Sequence, residues 1–261
     1  VFRRRGAGSE EVQLIAANVE VVLLVSACNR DFNVARLERY LVVALEAGAT
    51  PVVVLTKADL AEDPAQFVAQ ATRLSPGLPV EAVDARDPAT LSGVQAWCTP
   101  GTTLALLGSS GVGKTTLLNA LAGRTLQATQ AARADDDRGR HTTTHRSLHR
   151  IPSGAWVLDS PGMRELGLVD AAAGLSATFG EIEALAGTCR FRDCAHGDEP
   201  GCAVRAAIEA GELEADRLER FRKLQREERY ATETVAEARA RSRRWGRVHR
   251  AASKARERRE S

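Results

Sequence analysis

The stretch "GSSGVGKT" at 108–115 constrains the architecture of this chain more than any other segment. It fits G-x-x-x-x-G-K-[ST] and stands between an apolar run, "TLALL", and a helix-forming run, "KTTLLNAL". Strand, glycine-rich turn and helix in that order are what a phosphate-binding loop needs. Gly108, Ser109, Ser110, Gly111, Val112 and Gly113 let backbone N–H groups curl around phosphates. Lys114 reaches the outer phosphates, and Thr115, followed by Thr116, offers a hydroxyl to Mg²⁺.

The surrounding pattern agrees with such a loop. Strand-like runs alternate with helical ones: "VEVVLLVSA", a helix over about 33–47, "PVVVLT", a helix over about 63–74, "LPVEAVD", a helix near 89–97, and "TTLALLG". This alternation predicts an α/β fold with a parallel sheet covered on both faces. The strands "RSLHRIP" and "AWVLDS" complete the sheet. Beyond about residue 171 the strand signal disappears, and 176–186, 202–210 and 212 to about 258 read as helices. The division expected is therefore 1–12, a linker or trimmed edge without periodicity; 13–170, the nucleotide-binding unit; and 171–261, a helical unit with a basic tail.

"VLDSPG" at 157–162 supplies a second piece of phosphate chemistry. Asp159 ends an apolar strand where its carboxylate can orient a Mg²⁺-bound water, and Gly162 leaves a backbone N–H to face the terminal phosphate. Between the two motifs lies "RGRHTTTH". Consecutive threonines in a Gly- and Arg-rich loop are poor core material, but they suit a segment whose hydroxyl completes the Mg²⁺ shell when a γ-phosphate is present. Thr142, Thr143 and Thr144 are all open to that role, and Thr143 is carried as the catalytic candidate. Many P-loop GTPases place a water-orienting glutamine directly after D-x-x-G. Here that position is Met163, so the site alone should be slow, and His141 becomes the candidate water-positioning residue. His145 and His149 are expected on the following strand.

The tetrapeptide "TKAD" at 56–59 ends a strand, and many GTPases recognise guanine with T/N-K-x-D. Asp59 would accept from the two N–H donors of guanine's Watson–Crick edge, the Lys57 stem would cover base and ribose, and Thr56 and Ala58 complete the box. A companion loop should follow the next strand, where "VEAVDAR" offers Asp84-Ala85 in place of the usual Ser-Ala. The order is unusual, because the guanine box precedes the phosphate loop.

The chain has five cysteines, of which Cys189, Cys194 and Cys202 stand close together beside His196. The spacing Cys189-x4-Cys194-x-His196-x5-Cys202 gives three thiolates and one imidazole, a complete tetrahedral set for structural Zn²⁺ with no position left open for catalysis. Cys28 and Cys98 read as buried small apolar residues. Net charge is only +2, yet from Arg239 to the end ten Lys/Arg face two Glu, and Trp245 lies among them. Arginines around one aromatic suit phosphate contact and stacking on RNA. The longest apolar run contains Glu20 and is far shorter than the roughly 20 residues a membrane helix needs. A cytosolic address with no membrane contact is expected.

The order of guanine box, "GSSGVGKTTLLNAL", "RGRHTTTH" and "DSPGMRELGL", followed by "CRFRDCAHGDEPGCAVRAAIEAGEL", resembles the circularly permuted RsgA/YjeQ family, the ribosome small-subunit-dependent GTPases. The resemblance covers about residues 13 to 230. It implies a P-loop GTPase domain of permuted topology followed by a small α-helical zinc-binding domain. It implies GTP/GDP with Mg²⁺ on Thr115 and Asp159, and one structural Zn²⁺ on Cys189, Cys194, His196 and Cys202. The expected partners are the small (30S) ribosomal subunit and its rRNA, the protein itself being a monomer. The family also carries an N-terminal OB-fold, of which "VFRRRG" resembles the trailing edge. The activity implied is GTP hydrolysis in late subunit maturation, stimulated by the subunit. The competing class is a nucleotide-gated rRNA-binding module in which hydrolysis is incidental. Asp59 disfavours an ATP-specific site, and the zinc motif disfavours a permuted GTPase of the large subunit.

Overall fold

The computed structural model describes residues 1–5, 12–126, 147–159, 168 and 170–232. It opens with a hairpin in which β1 (Phe2–Arg5) pairs antiparallel with β2 (Val12–Ala16). Within the stretch 1–12, expected as a linker or trimmed edge, Phe2 is 2% exposed and belongs to the main core. A strand this short carries no periodic signal, and its burial depends on residues far along the chain.

The principal sheet has six strands: β3 (Val21–Ala27), β4 (Thr50–Thr56), β5 (Val80–Ala82), β6 (Thr103–Leu107), β7 (Ser147–Arg150) and β8 (Trp156–Asp159), in spatial order β5-β4-β3-β6-β8-β7. All pairings are parallel except β7 with β8. That departure from the all-parallel expectation follows from the connection. A tight turn, with Ile151 N–H on the Ala155 carbonyl at 3.0 Å and Gly154 N–H on the Ile151 carbonyl at 2.9 Å, can join only antiparallel strands. Every residue of β3 is buried, as a strand covered on both faces requires. Its side chains alternate between two cores. Val22 and Leu24 join Val53, Leu55, Ala105 and Leu107 on one face, whereas Leu23 and Val25 join Val52, Val54, Leu104 and Leu106 on the other.

The first face is covered by α1 (Val34–Glu46) and α2 (Pro64–Thr72). Asn33 caps α1 by accepting from the Arg36 N–H at 2.9 Å, and Asp63 followed by Pro64 starts α2. The second face is covered by α3 (Ser92–Gln95) and α4 (Lys114–Ala122). The helix expected over 89–97 is a 3-10 turn at Pro88–Leu91 running into the single turn of α3. Asp87 caps that turn on the Ala89 N–H at 3.0 Å, and Gly93, in the middle of the stretch, weakens a longer helix.

The remaining helices are α5 (Ala172–Thr178), α6 (Gly180–Ala186), α7 (Ala203–Glu209) and α8 (Ala215–Thr232). One helix was expected over 176–186; the chain bends at Phe179, which is fully buried with its ring 5.3 Å from that of Phe221. α5 packs closely on α1: a Cβ on Gly174 would come within 2.2 Å of the Val42 carbonyl oxygen. Leu175, Phe179, Ile182, Val204, Leu218 and Phe221 share the core of α1 and α2, so packing runs unbroken past residue 170.

Candidate nucleotide site and metal centre

β3, β4, β5, β6 and β8 run parallel, so their carboxyl ends share one edge of the sheet, the place where open α/β sheets bind ligands. β3 lies between β4 and β6. The tetrapeptide leaving β4 and the glycine loop leaving β6 are thus one strand apart, although they are far apart in sequence.

In the loop, Gly108 stands where only glycine fits, since a Cβ there would lie 2.3 Å from the Val25 carbonyl oxygen of β3. Gly113 has φ 92° and caps α4, a conformation that side chains rarely adopt. Ser110 and Gly111 are exposed at the tip, while Val112 is buried. Lys114 is 6% exposed; its Nζ donates to the Gly108 carbonyl at 2.8 Å and to the Ser109 carbonyl, which ties the lysine to the loop it follows. Thr115 and Thr116 are half-buried in the first turn of α4. Asp159, 4% exposed, ends β8, the neighbour of β6. A hydroxyl and a carboxylate are the hard oxygen donors that Mg²⁺ takes, so the donor chemistry of Thr115 and Asp159 fits that ion.

Thr56 does something its place in the box did not announce. It is 1% exposed, with Oγ1 3.2 Å from the Ser26 carbonyl and 2.5 Å from the Val112 carbonyl. Its hydroxyl fastens the end of β4 to the phosphate loop instead of facing a base, and threonine's short branched side chain is the right length for that bond. Lys57 follows with φ 57°, and Asp59 sits in the 3-10 turn Ala58–Leu60. Arg86 Nη2 donates to Asp59 Oδ2 at 2.6 Å, and its Nε lies 3.2 Å from Asp84 Oδ1. The Asp84 carboxyl is held below its usual range chiefly by the Arg86 backbone N–H, with the guanidinium adding to it.

Two arginines in this region escaped the sequence reading. Arg86 is one. Arg36 is the other: it reaches from α1 to Ser109 Oγ at 2.5 Å, which brings a cation to the phosphate loop. Neither belongs to a motif, so only the folded register reveals them. His149 is on β7, with Nε2 2.9 Å from Ser147 Oγ. His141, Thr142, Thr143, Thr144, His145, Gly162, Met163 and the basic tail with Trp245 lie outside the described residues.

Cys189, Cys194, His196 and Cys202 come together as the spacing predicts, with their ligand atoms all within 4.8 Å of one another. His196 Nδ1 is 3.6 Å from both Cys189 Sγ and Cys202 Sγ, and the two sulfurs are 4.0 Å apart. Tetrahedral Zn²⁺ with bonds of about 2.3 Å to sulfur and about 2.0 Å to nitrogen would set S···N near 3.6 Å and S···S near 3.8 Å. The cluster is compatible with zinc on both counts. Burial first, then the nearby Arg222 guanidinium, holds His196 below its usual pKa and favours the neutral ring a metal ligand must be. Arg222 Nη2 also donates to the Ala195 and His196 carbonyls at 2.8 and 2.9 Å, tying the ligand loop to α8.

The family model described as RsgA GTPase matches residues 1–169. The chain is 53% identical over 248 residues to the small ribosomal subunit biogenesis GTPase RsgA 2 of Vibrio vulnificus, covering 95% of this chain and 71% of that protein. It is 52% identical to the small ribosomal subunit biogenesis GTPase RsgA of Mesorhizobium japonicum, over 89% of this chain and 68% of that one. Among solved structures it resembles YloQ, a circularly permuted GTPase, with TM-score 0.59 and 27% identity over 86% of this chain and 76% of that one. It also resembles YjeQ from Thermotoga maritima, with TM-score 0.57 and 27% identity over 79% and 70%.

Proposed function

The chain belongs to the RsgA GTPase family, and from that premise we propose that it hydrolyses GTP to GDP and phosphate in the cytoplasm, in late maturation of the small ribosomal subunit, and that the subunit and its rRNA stimulate the reaction. The observation that most supports this reading is the junction of the two half-sites. The Thr56 hydroxyl bonds the Val112 carbonyl, so a guanine box and a phosphate loop that are reversed in sequence form one continuous edge.

In this reading Asp59 and Lys57 select guanine, and the backbone of 108–113 holds the phosphates. The Lys114 ammonium exchanges its loop carbonyls for phosphate oxygens, stabilising charge that develops on the transferred group. Thr115 and Asp159 would hold Mg²⁺, with Thr143 as a further hydroxyl; the ion, when bound, neutralises phosphate charge. The Gly162 N–H faces the terminal phosphate. His141 orients the attacking water, a role motivated by Met163 at the usual glutamine position. Zn²⁺ on Cys189, Cys194, His196 and Cys202 would be structural, with all four ligands supplied by protein.

The test is GTP hydrolysis with and without purified small subunits, by the parent chain and by His141→Ala. Repeated turnovers accelerated at least about tenfold by the subunit are expected, with that acceleration lost in the variant. An unaltered stimulated rate in His141→Ala overturns the assignment of the water. A single round of binding without acceleration supports the nucleotide-gated RNA-binding alternative over the enzyme.

A further inference from the structure

We infer that Arg86 is the positioning residue for base recognition: its guanidinium orients the Asp59 carboxylate toward the edge of a guanine. This rests on the reading of Asp59 as the guanine acceptor and deepens it.

Asp59 and Asp84 come from separate turns, after β4 and after β5. The backbone holds these turns side by side through the Ala58 N–H on the Val83 carbonyl at 3.3 Å and the Val83 N–H on the Leu55 carbonyl at 2.9 Å. Two carboxylates are thus placed on neighbouring turns, and Arg86 spans both. Its own backbone N–H donates to Asp84 Oδ1 at 2.9 Å and its Nε lies 3.2 Å from the same oxygen, so the side chain is anchored where it leaves the turn. The Thr90 hydroxyl, 2.9 Å from the Asp84 and Asp87 carbonyls, fixes the turn in its place. The far end of the fork then reaches Asp59 Oδ2 at 2.6 Å.

Magnitudes decide what this arrangement is for. The Arg86 side chain is 65% exposed, and exposed ion pairs contribute about 0–1 kcal/mol to folding, so stability is not its purpose. Orientation is another matter. A carboxylate accepts at about four positions over its two oxygens, so a bond to Arg86 leaves room for the two N–H donors of guanine while fixing the plane in which they are met. When a bound base excludes water, the local dielectric falls and the same contacts strengthen. Removal of the guanidinium leaves two like charges on adjacent turns, and Asp59 rotates away toward solvent. Lysine cannot replace the fork, having a single point charge with no fixed plane.

The experiment is competition against fluorescently labelled GDP by unlabelled GDP and by inosine diphosphate, which lacks the 2-amino donor. Arg86→Ala is expected to weaken GDP at least about tenfold and to bring the preference for GDP over inosine diphosphate toward one. Its thermal midpoint should stay close to the parent's, since the side chain is exposed. Asp59→Asn serves as the companion, expected to lose GDP and to gain xanthosine diphosphate. If Asp59→Asn binds GDP as the parent does, the base reading fails and the role of Arg86 fails with it. If Asp59→Asn loses GDP but Arg86→Ala keeps the parent's preference over inosine diphosphate, whatever its affinity, the base reading stands and the assignment of Arg86 is overturned.

Discussion

Five cysteines in this chain have two different kinds of surroundings, and their reactivity should follow. Cys28 and Cys98 are each 3% exposed, and burial pushes both thiols up to about 11. A folded pKa above the unfolded value of 9.0 means that the stabilisation is fully present below about pH 9 and is lost as pH rises from there through about 11. At pH 8 both are therefore protonated and poor nucleophiles. Cys189, Cys194 and Cys202 would be protected by a metal instead. Alkylation at pH 8 followed by mass spectrometry should modify none of the five in zinc-loaded protein, these three after chelation, and all five only in denaturant. Labelling of Cys28 or Cys98 as fast as Cys189 in the chelated native protein would contradict the burial argument. The same contrast shows what sequence makes legible at this scale: ligand spacing within one short loop is local and readable. The bond from Thr56 to Val112 and the reach of Arg36 to Ser109 depend on strands being neighbours, and no local pattern encodes that.

Among elements, a buried ion-pair cluster joins α1 to α8. Glu38, fully buried, accepts from Arg217 Nη1 at 2.8 Å and Arg220 Nε at 2.7 Å. Arg217 also donates to Glu181 at 2.8 Å and to the Thr178 and Leu74 carbonyls at 2.7 and 3.0 Å, with its guanidinium 4.3 Å from the centre of the Phe179 ring. One buried cation thus satisfies acceptors from four places in the chain. Arg217→Ala should destabilise the fold by about 3 kcal/mol, the scale of breaking a buried pair, whereas Glu219→Ala on the exposed side of α8 should change it by less than about 0.5 kcal/mol. Urea unfolding measures both, and equal small effects would show that the cluster is held by packing alone. Alternation and caps made β3, β4, β6, α1, α2 and α4 readable in advance. The β1–β2 hairpin, the reversed direction of β7 and the break between α5 and α6 were not, because each is decided by tertiary partners or turn geometry rather than by its own periodicity.

For the whole molecule, strand order in space matters more than order along the chain. β3 brings the β4 turn and the β6 loop to one edge, so the order of these two segments along the chain leaves them adjacent in space. The segment leaving β8 after Asp159 leads into α5, which packs on α1, and α1 in turn carries Arg36 to the phosphate loop and Glu38 to α8. α1 thus touches both the glycine loop and α8, and from that arrangement nucleotide-dependent attachment to the small subunit is the expected behaviour. Among the described residues no helix is long and apolar enough to cross a membrane. The most direct measurement is cosedimentation of the chain with purified small and large ribosomal subunits, in GDP and in a non-hydrolysable GTP analogue. Retention on small subunits with the analogue, release with GDP, and no retention on large subunits in either state are expected; equal retention in both nucleotides, or a preference for the large subunit, would contradict a nucleotide-controlled role on the small subunit.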